Sequence, residues 1–386
     1  MSRSGAGGRR QRRQLNDMGK IEQYISGKNR RIGIGSQNNS GIILIVVLWV
    51  LVILSMLAIG LARKVKVDLA LTKNAIGKIK SRYIAMAGLS YAMAKIYEDN
   101  QDQGSNILDT KFQCGFTRKD QNTVEGLFKQ IPVGDGHFTI SYNIAEDNQR
   151  LKRYGFQDEE SKVNINGLNS SNFTVLKYLI SELGFDDQTA ETVASSVIDW
   201  IDADSAVFNP PLGAEGDTYE TDGSSYSCKN KPFDSIEELM LVKGMTPALF
   251  KKMRAYVTVF PRQDNLRVNF ETASTIVLKA LARSVTGPQT NTGIPDADSL
   301  VERIVAFRKG DDGLLATEDD RVVNGNEMGL NATESSIFQA ISYYRTQISQ
   351  YIHVQSKGVD DLSGVFTSIE AVVQRRDMSL VYWHRN

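Results

Sequence analysis

The chain has 386 residues, with 45 Lys and Arg balancing 45 Asp and Glu, a length that allows two or three structural units. Its two cysteines, Cys114 and Cys228, lack the neighbours of a metal or redox motif, and its three histidines (His137, His353, His384) are scattered. No Gly-x-Ser-x-Gly, P-loop or His-Glu-x-x-His motif occurs, which argues against an enzyme. In an oxidising compartment the cysteines either pair or remain separate thiols, and their spacing leaves both open.

Zero net charge hides a strong asymmetry. Residues 1–40 hold nine Lys or Arg against Asp17 and Glu22, a net of +7, so the remainder carries −7. Residues 42–62, IILIVVLWVLVILSMLAIGLA, contain no charge; at ~1.5 Å per residue they make a helix of about 32 Å, enough to cross a hydrocarbon core. Positive charge stays on the cytoplasmic side of such a span. The expectation is a single-pass inner-membrane protein, leader inside, with its C-terminal domain in the periplasm. The leader shows no apolar periodicity, and beside a span its charge is a topology signal rather than a nucleic-acid site. Met18 is an alternative start that shortens it. A secretory signal peptide would have a shorter apolar core and a small-x-small site behind it, whereas here ARKVKVDLALTKN follows and reads as more helix. The processing point therefore lies before the run, between Gly41 and Ile42. That arrangement suggests a type IV pilin-like precursor; the rival is an uncleaved signal anchor.

Ile76, Ile79, Tyr83, Met86, Ala87, Ser90, Ala94 and Tyr97 recur at three- and four-residue spacing, which predicts one buried stripe. No proline occurs before Pro132, so a helix is predicted from Ile42 to about Asp99, half in lipid and half on a soluble domain. GHFTISYNIAED (136–147) alternates like a strand, and SKVNIN (161–166) is a second short candidate. Near the end, 351–358, 364–376 and 378–385 read as three strands. Residues 167–335 are mostly helical, with polar loops at 203–235 and 309–326. The expected fold class is α+β: a long N-terminal hydrophobic helix on a small antiparallel sheet, with a large helical insertion of helix-hairpin-helix type. In chain order this gives a leader (1–41), the long helix (42–99), the first part of a pilin-like domain (100–166), the insertion (167–335) and closing strands (336–386).

Within the insertion, SIEELMLVKGMTPALFKKMRAYVTVF (235–260) reads as a helix hairpin. Gly244 serves as a C-cap, Thr246 as an N-cap and Pro247 as the first helical position. Such hairpins often bind DNA, yet residues 151–260 hold 17 acidic against 10 basic residues. A field of that sign repels phosphate, so no nucleic-acid partner is expected. Residues 164–204 and 269–307 open alike and read as two copies of one unit. The sharpest chemical feature is DWIDAD (199–204) followed by GAEGDTY (213–219). Asp199, Asp202, Asp204, Glu215 and Asp217 crowd one loop, and carboxylates this close need solvent or a bridging cation. Oxygen-only ligands suit Ca²⁺. DDGLLATEDD (311–320), with Asp312, Asp319 and Asp320, is a weaker second candidate without EF-hand spacing.

Together these segments resemble the minor pseudopilin K family of the bacterial type II secretion system. The resemblance is carried in order by GIILIVVLWVLVILSMLA (41–58), VNINGLN (163–169), DWIDAD, GAEGDTY, LMLVKGMTPALF (239–250), VNFETAS (268–274) and a last strand ending VYWHR. It implies a non-enzymatic subunit, cut by a prepilin peptidase after Gly41 and methylated on Ile42. The implied place is the tip of a short filament, in contact with other minor pseudopilins and the major pseudopilin. It also implies structural Ca²⁺ in the helical domain, with Asp202, Asp204, Glu215 and Asp217 as ligands, although Gly216 stands where relatives carry another acid. Pilin-like subunits usually have Glu at the fifth mature position; here that position is Val46, as is typical of this family. Rival functions are a tip or adapter subunit of a type IV pilus and a membrane-anchored helix-hairpin-helix DNA receptor.

Overall fold

A computed structural model describes residues 40–101, 121–146, 149–221, 223, 226–262, 265–288, 291–313 and 319–386. The leader up to residue 39 and Cys114, with its pairing, lie outside them. The chain falls into two compact units, one ending at Ala70 and the other Leu71–Asn386. The boundary lies inside α1 (Ser40–Gln101), an unbroken 62-residue helix that matches the predicted one closely. Over residues 42–62 every side chain of α1 is exposed, and an 18-residue stretch reaches a mean hydropathy of 3.3. A helix apolar on all sides needs an apolar surrounding, and this one is long enough to span a bilayer.

In the second unit, α2 (Gln121–Phe128) leads to an antiparallel sheet. Its strands are β1 (Ile131–Val133), β2 (Gly136–Glu146), β3 (Gln149–Tyr154), β4 (Gln157–Asp158), β9 (Tyr351–Asp360), β10 (Phe366–Gln374) and β11 (Ser379–Arg385). The order is β1-β2-β9-β10-β11, with β3 added on β2 and β4 on β9. The strands predicted at 136–147 and at the three C-terminal segments are present; β1, β3 and β4 were not foreseen. Period-two alternation puts Ile352 and Val354 of β9 and Ile369, Ala371 and Val373 of β10 into one core with Phe138, Ile140 and the α1 residues Ile84, Ala85, Leu89, Ala92 and Ile96.

The buried stripe of α1 is therefore not the predicted one. Ile76, Ile79, Tyr83 and Tyr97 are 51%, 59%, 65% and 56% exposed, and Met86 is exposed as well. Packing proximity explains the reversal. A β-carbon on Gly88 would come within 2.2 Å of Ser356 Oγ and 2.9 Å of the Phe138 ring. One on Gly358 of β9 would lie 2.3 Å from the Ala85 nitrogen. A stripe of small residues, Gly77, Ser81, Ala85, Gly88 and Ala92, fits so close a contact, flanked by the buried Ile84, Leu89 and Ile96, and leaves Ile76, Ile79, Tyr83 and Met86 facing away from the sheet. Ser81 and Thr367 share a buried hydrogen bond at 2.8 Å. At the far end, the buried Arg375 pairs with Asp99 and donates to Asn100 Oδ1 at 2.7 Å.

Between β4 and β9 the chain makes the helical region: α3 (Thr174–Glu182), α4 (Asp187–Ile201), α5 (Gly216–Thr221), α6 (Pro247–Met253), α7 (Thr275–Ser284), α8 (Ile294–Arg308) and α9 (Ala332–Ile341). It surrounds a second core that includes Leu176, Val197, Leu249, Leu278 and Leu300. The helical region runs past the expected limit at 335, which falls within α9. The predicted strand at 161–166 shrinks to β5 (Val163–Asn164) between 3-10 turns, and it pairs in parallel with β6 (Val257–Thr258) rather than with the large sheet. Asparagine chemistry is the cause: Asn164 Oδ1 accepts the Asn166 amide at 3.1 Å, and Asn166 donates to Phe233 and Val259 carbonyls. The proposed second copy opens the same way. There β7 (Val268–Asn269) pairs in parallel with β8 (Arg345–Thr346), and Asn269 Oδ1 accepts the Glu271 amide at 3.0 Å.

The helix–sheet contact yields a direct expectation. Gly88→Val should remove about 1–3 kcal/mol of stability through overpacking, read as a lower unfolding temperature of the full chain in detergent. Tyr83→Ala, on the open face, should change it by less than about 0.5 kcal/mol. Equal effects of the two would contradict the close approach described above.

Candidate functional site

α4 begins at an Asp186 cap, whose Oδ1 accepts the Thr189 amide at 2.8 Å, and it buries Val193, Val197 and Trp200. Its last turn delivers Asp199 into the interior, and the helix stops at Asp202. The following loop carries Asp204 and returns to Glu215 just before α5. Ligand atoms of Asp202, Asp204 and Glu215 all lie within 4.8 Å of one another. Asp204 is exposed and Asp202 half-buried, while Glu215 is only 4% exposed. Neither carboxylate oxygen of Glu215 has a hydrogen-bond partner among the described residues, and Asp202 Oδ1 has none either. An unpaired buried carboxylate is costly. The donor set is all oxygen and anionic, so the three groups fit a hard divalent cation of the Ca²⁺ class.

The fourth predicted ligand falls outside this group. Asp217 sits exposed in the first turn of α5, where its charge favours the helix N-terminus. The second acidic loop also reads differently in three dimensions. Asp319 Oδ2 accepts the backbone amides of Asp311 at 2.5 Å and Asp312 at 3.0 Å, and Asp311 pairs with Arg321. Asp319 thus closes a turn, and among the described residues Asp312, Asp319 and Asp320 form no convergent group of ligand atoms. The predicted processing pair, Gly41 and Ile42, lies exposed in the first turn of α1, and among the described residues no atom outside the local helix lies within 4 Å of a β-carbon built on Gly41.

Two contacts that shape this loop were missed by reading the sequence. Asp199 Oδ1 accepts the Phe208 amide at 2.6 Å and Oδ2 the Ala214 amide at 2.5 Å, so its carboxylate ties the loop shut. Lys243 Nζ donates to the carbonyls of Pro211 at 3.2 Å and Gly213 at 3.1 Å. The hairpin around it keeps Gly244 at φ +81° and the Thr246 cap, but its first limb is a 3-10 turn (Ile236–Leu241) instead of an α-helix. Its lysine holds the acidic loop. Cys228, a free thiol, donates to the Asp199 carbonyl at 3.2 Å, and burial pushes its pKa up to about 11.

Burial, with Asp204 and Asp199 adding to it, pushes Asp202 up to about 6; burial, with Asp199 and Asp202, pushes Glu215 up to about 7. A carboxyl with a raised folded pKa holds its proton better in the fold than in the unfolded chain. Its contribution to stability is present below the ordinary carboxyl range and is lost as pH rises toward about 7. Metal-free protein should thus gain from Glu215→Gln at pH 8 and gain less, or nothing, at pH 5. Thermal unfolding of the full chain in EGTA checks this, and a Gln variant less stable than wild type at pH 8 would contradict it.

Residues 161–262 match the family model for type II secretion system protein K. Relatives of that name include one from Pseudomonas aeruginosa, 24% identical over 253 residues, which are 64% of this chain and 68% of that protein. Another, from Klebsiella pneumoniae, is 25% identical over 60% of this chain and 66% of its own length. A third, from Dickeya chrysanthemi, is 35% identical over 100 residues, about a quarter of each chain. Among solved structures, a chain of the GspK-GspI-GspJ complex from the type 2 secretion system of enterotoxigenic Escherichia coli superposes with a TM-score of 0.56. At 14% identity, over 82% of this chain and 99% of that one, the likeness shows a shared fold.

Proposed function

We propose that this chain, a member of the type II secretion system protein K family and a minor pseudopilin, caps the tip of the periplasmic filament that serves protein export across the outer membrane. One observation carries the reading: α1 leaves apolar surface uncovered along most of its length. Residues 42–62 are open on every side, and farther along Ile76, Ile79, Tyr83, Met86 and Tyr97 face away from the sheet. Apolar surface of this extent marks an interaction site. Lipid covers the first stretch before assembly, and helices of neighbouring pseudopilins cover both afterwards. The solved complex named above joins GspK to GspI and GspJ, so the proposed neighbours are the corresponding minor pseudopilins, with the major pseudopilin below them.

In this reading a prepilin peptidase cuts between Gly41 and Ile42 and the new amine of Ile42 is methylated. Val46 offers no carboxylate to the amine of a subunit above, and the helical region adds bulk that a regular stack would not hold; both favour the end position. Ca²⁺ held by Asp202, Asp204 and Glu215 would be structural, neutralising three converging carboxylates. No catalytic step is proposed.

Three outcomes are expected. Replacing Gly41 with Leu should leave uncut precursor in the membrane, whereas an intact leader in wild-type protein, found by N-terminal sequencing, would refute the processing site. Tyr83→Asp with Met86→Asp should reduce co-purification with the neighbouring minor pseudopilins while the unfolding temperature stays put; undiminished capture would remove this face from the interface. Ca²⁺ should raise the unfolding temperature of EGTA-treated protein, by about 2.7 kcal/mol of added stability at 100-fold excess over the dissociation constant. Mg²⁺ should act poorly, and an unfolding temperature indifferent to Ca²⁺ would return the loop to a solvated acidic surface.

A further inference from the structure

We infer that Asp199 is the positioning residue of the cation site: it binds no ion itself but holds the two limbs of the loop so that Asp202 and Asp204 meet Glu215. The inference rests on the Ca²⁺ reading proposed above. Asp202 and Asp204 lie on the limb leaving α4, and Glu215 lies on the returning limb beyond Gly213. The three carboxylates repel one another, so some attraction must hold the limbs together before any ion arrives.

Asp199 supplies it from beneath. Its side chain is fully buried, and each oxygen is taken by a backbone amide, Phe208 at 2.6 Å and Ala214 at 2.5 Å. The second amide belongs to the residue just before Glu215, so this bond sets where the Glu215 backbone starts. The fit leaves no slack: a β-carbon on Gly213 would lie 2.2 Å from Asp199 Oδ2 and 2.3 Å from the Phe208 carbonyl oxygen. Lys243 holds the same limb as well, through the Pro211 and Gly213 carbonyls. The Asp199 carbonyl accepts from Cys228 as well, so a third chain segment converges on this residue. Glu215, 4% exposed with both oxygens unpartnered among the described residues, is thereby held where a cation would satisfy it.

Outer-shell partners that orient ligands typically cost about 10–100-fold in metal affinity when removed. Asp199→Asn keeps the shape but turns one acceptor into a donor facing a backbone amide. Calorimetric titration of the full chain in detergent should give a Ca²⁺ dissociation constant raised about 10–100-fold. The gap in unfolding temperature between wild type and variant should widen as Ca²⁺ is added and level off once both are saturated. An unchanged dissociation constant, or a gap that is the same at every Ca²⁺ concentration, would make Asp199 merely structural and overturn the inference. Absence of Ca²⁺ binding by wild type is a separate result, overturning the metal reading itself. If Asp199→Asn does not fold even with Ca²⁺, hydrogen exchange in wild type decides. Phe208 and Ala214 amides protected in EGTA support a clamp that precedes the ion, and protection that appears only with Ca²⁺ overturns it.

Discussion

A β-carbon on Gly358 would lie 2.3 Å from the Ala85 nitrogen and 2.4 Å from the Ser81 carbonyl oxygen, so helix backbone rests on sheet backbone along the contact between α1 and the strands. Dispersion attraction falls steeply with distance, and this approach lets Ile84, Leu89 and Ile96 reach the cores of β2, β9 and β10 together. The small residues that allow it occupy one stripe of α1. The stripe beside it then carries Ile76, Ile79, Tyr83 and Met86 outward, and an open apolar surface results from the same geometry that binds the helix to its own domain.

The two ends of that contact are secured differently. Near Ser81 the helix is tied by a neutral hydroxyl pair with Thr367. At Asp99 it is tied by an ion pair with the buried Arg375, whose guanidinium burial pushes down to about 10. Removing one partner of such a buried pair costs roughly 3–5 kcal/mol, because the other charge stays behind. The polar tie fixes the register of α1 on the sheet, since a slip of one residue would strand Arg375.

In the helical region buried charge is for the most part partnered in the same way. Glu271 is buried beside Arg345 and accepts the Val323 amide, and Arg308 donates to the Phe270 and Ala273 carbonyls. Each of these buried charges has protein partners. The Asp202–Asp204–Glu215 group stands apart because its like charges converge and its innermost carboxylate has no protein partner among the described residues. This contrast within one domain is what makes the acidic loop the candidate cation site, whereas Asp311 and Asp319 already serve Arg321 and backbone amides.

The sequence by itself determined the span at 42–62, the continuous α1, the four longer strands, the capped turn at Gly244–Pro247 and the membership of Asp202, Asp204 and Glu215 in one loop. Each of these is local: an uncharged run, a period, a cap, a cluster within a few residues. Tertiary structure decided which face of α1 is buried, because period alone finds two adjacent stripes and only the sheet's surface selects the one with small residues. It shortened the 161–166 strand, because Asn164 and Asn166 found partners at Pro261, Phe233 and Val259, far along the chain. It also separated Asp217 from the carboxylates that converge and gave Asp199 its place beneath them. Spacing counts carboxylates in a loop, but only the folded path of the backbone decides which oxygens share a point in space.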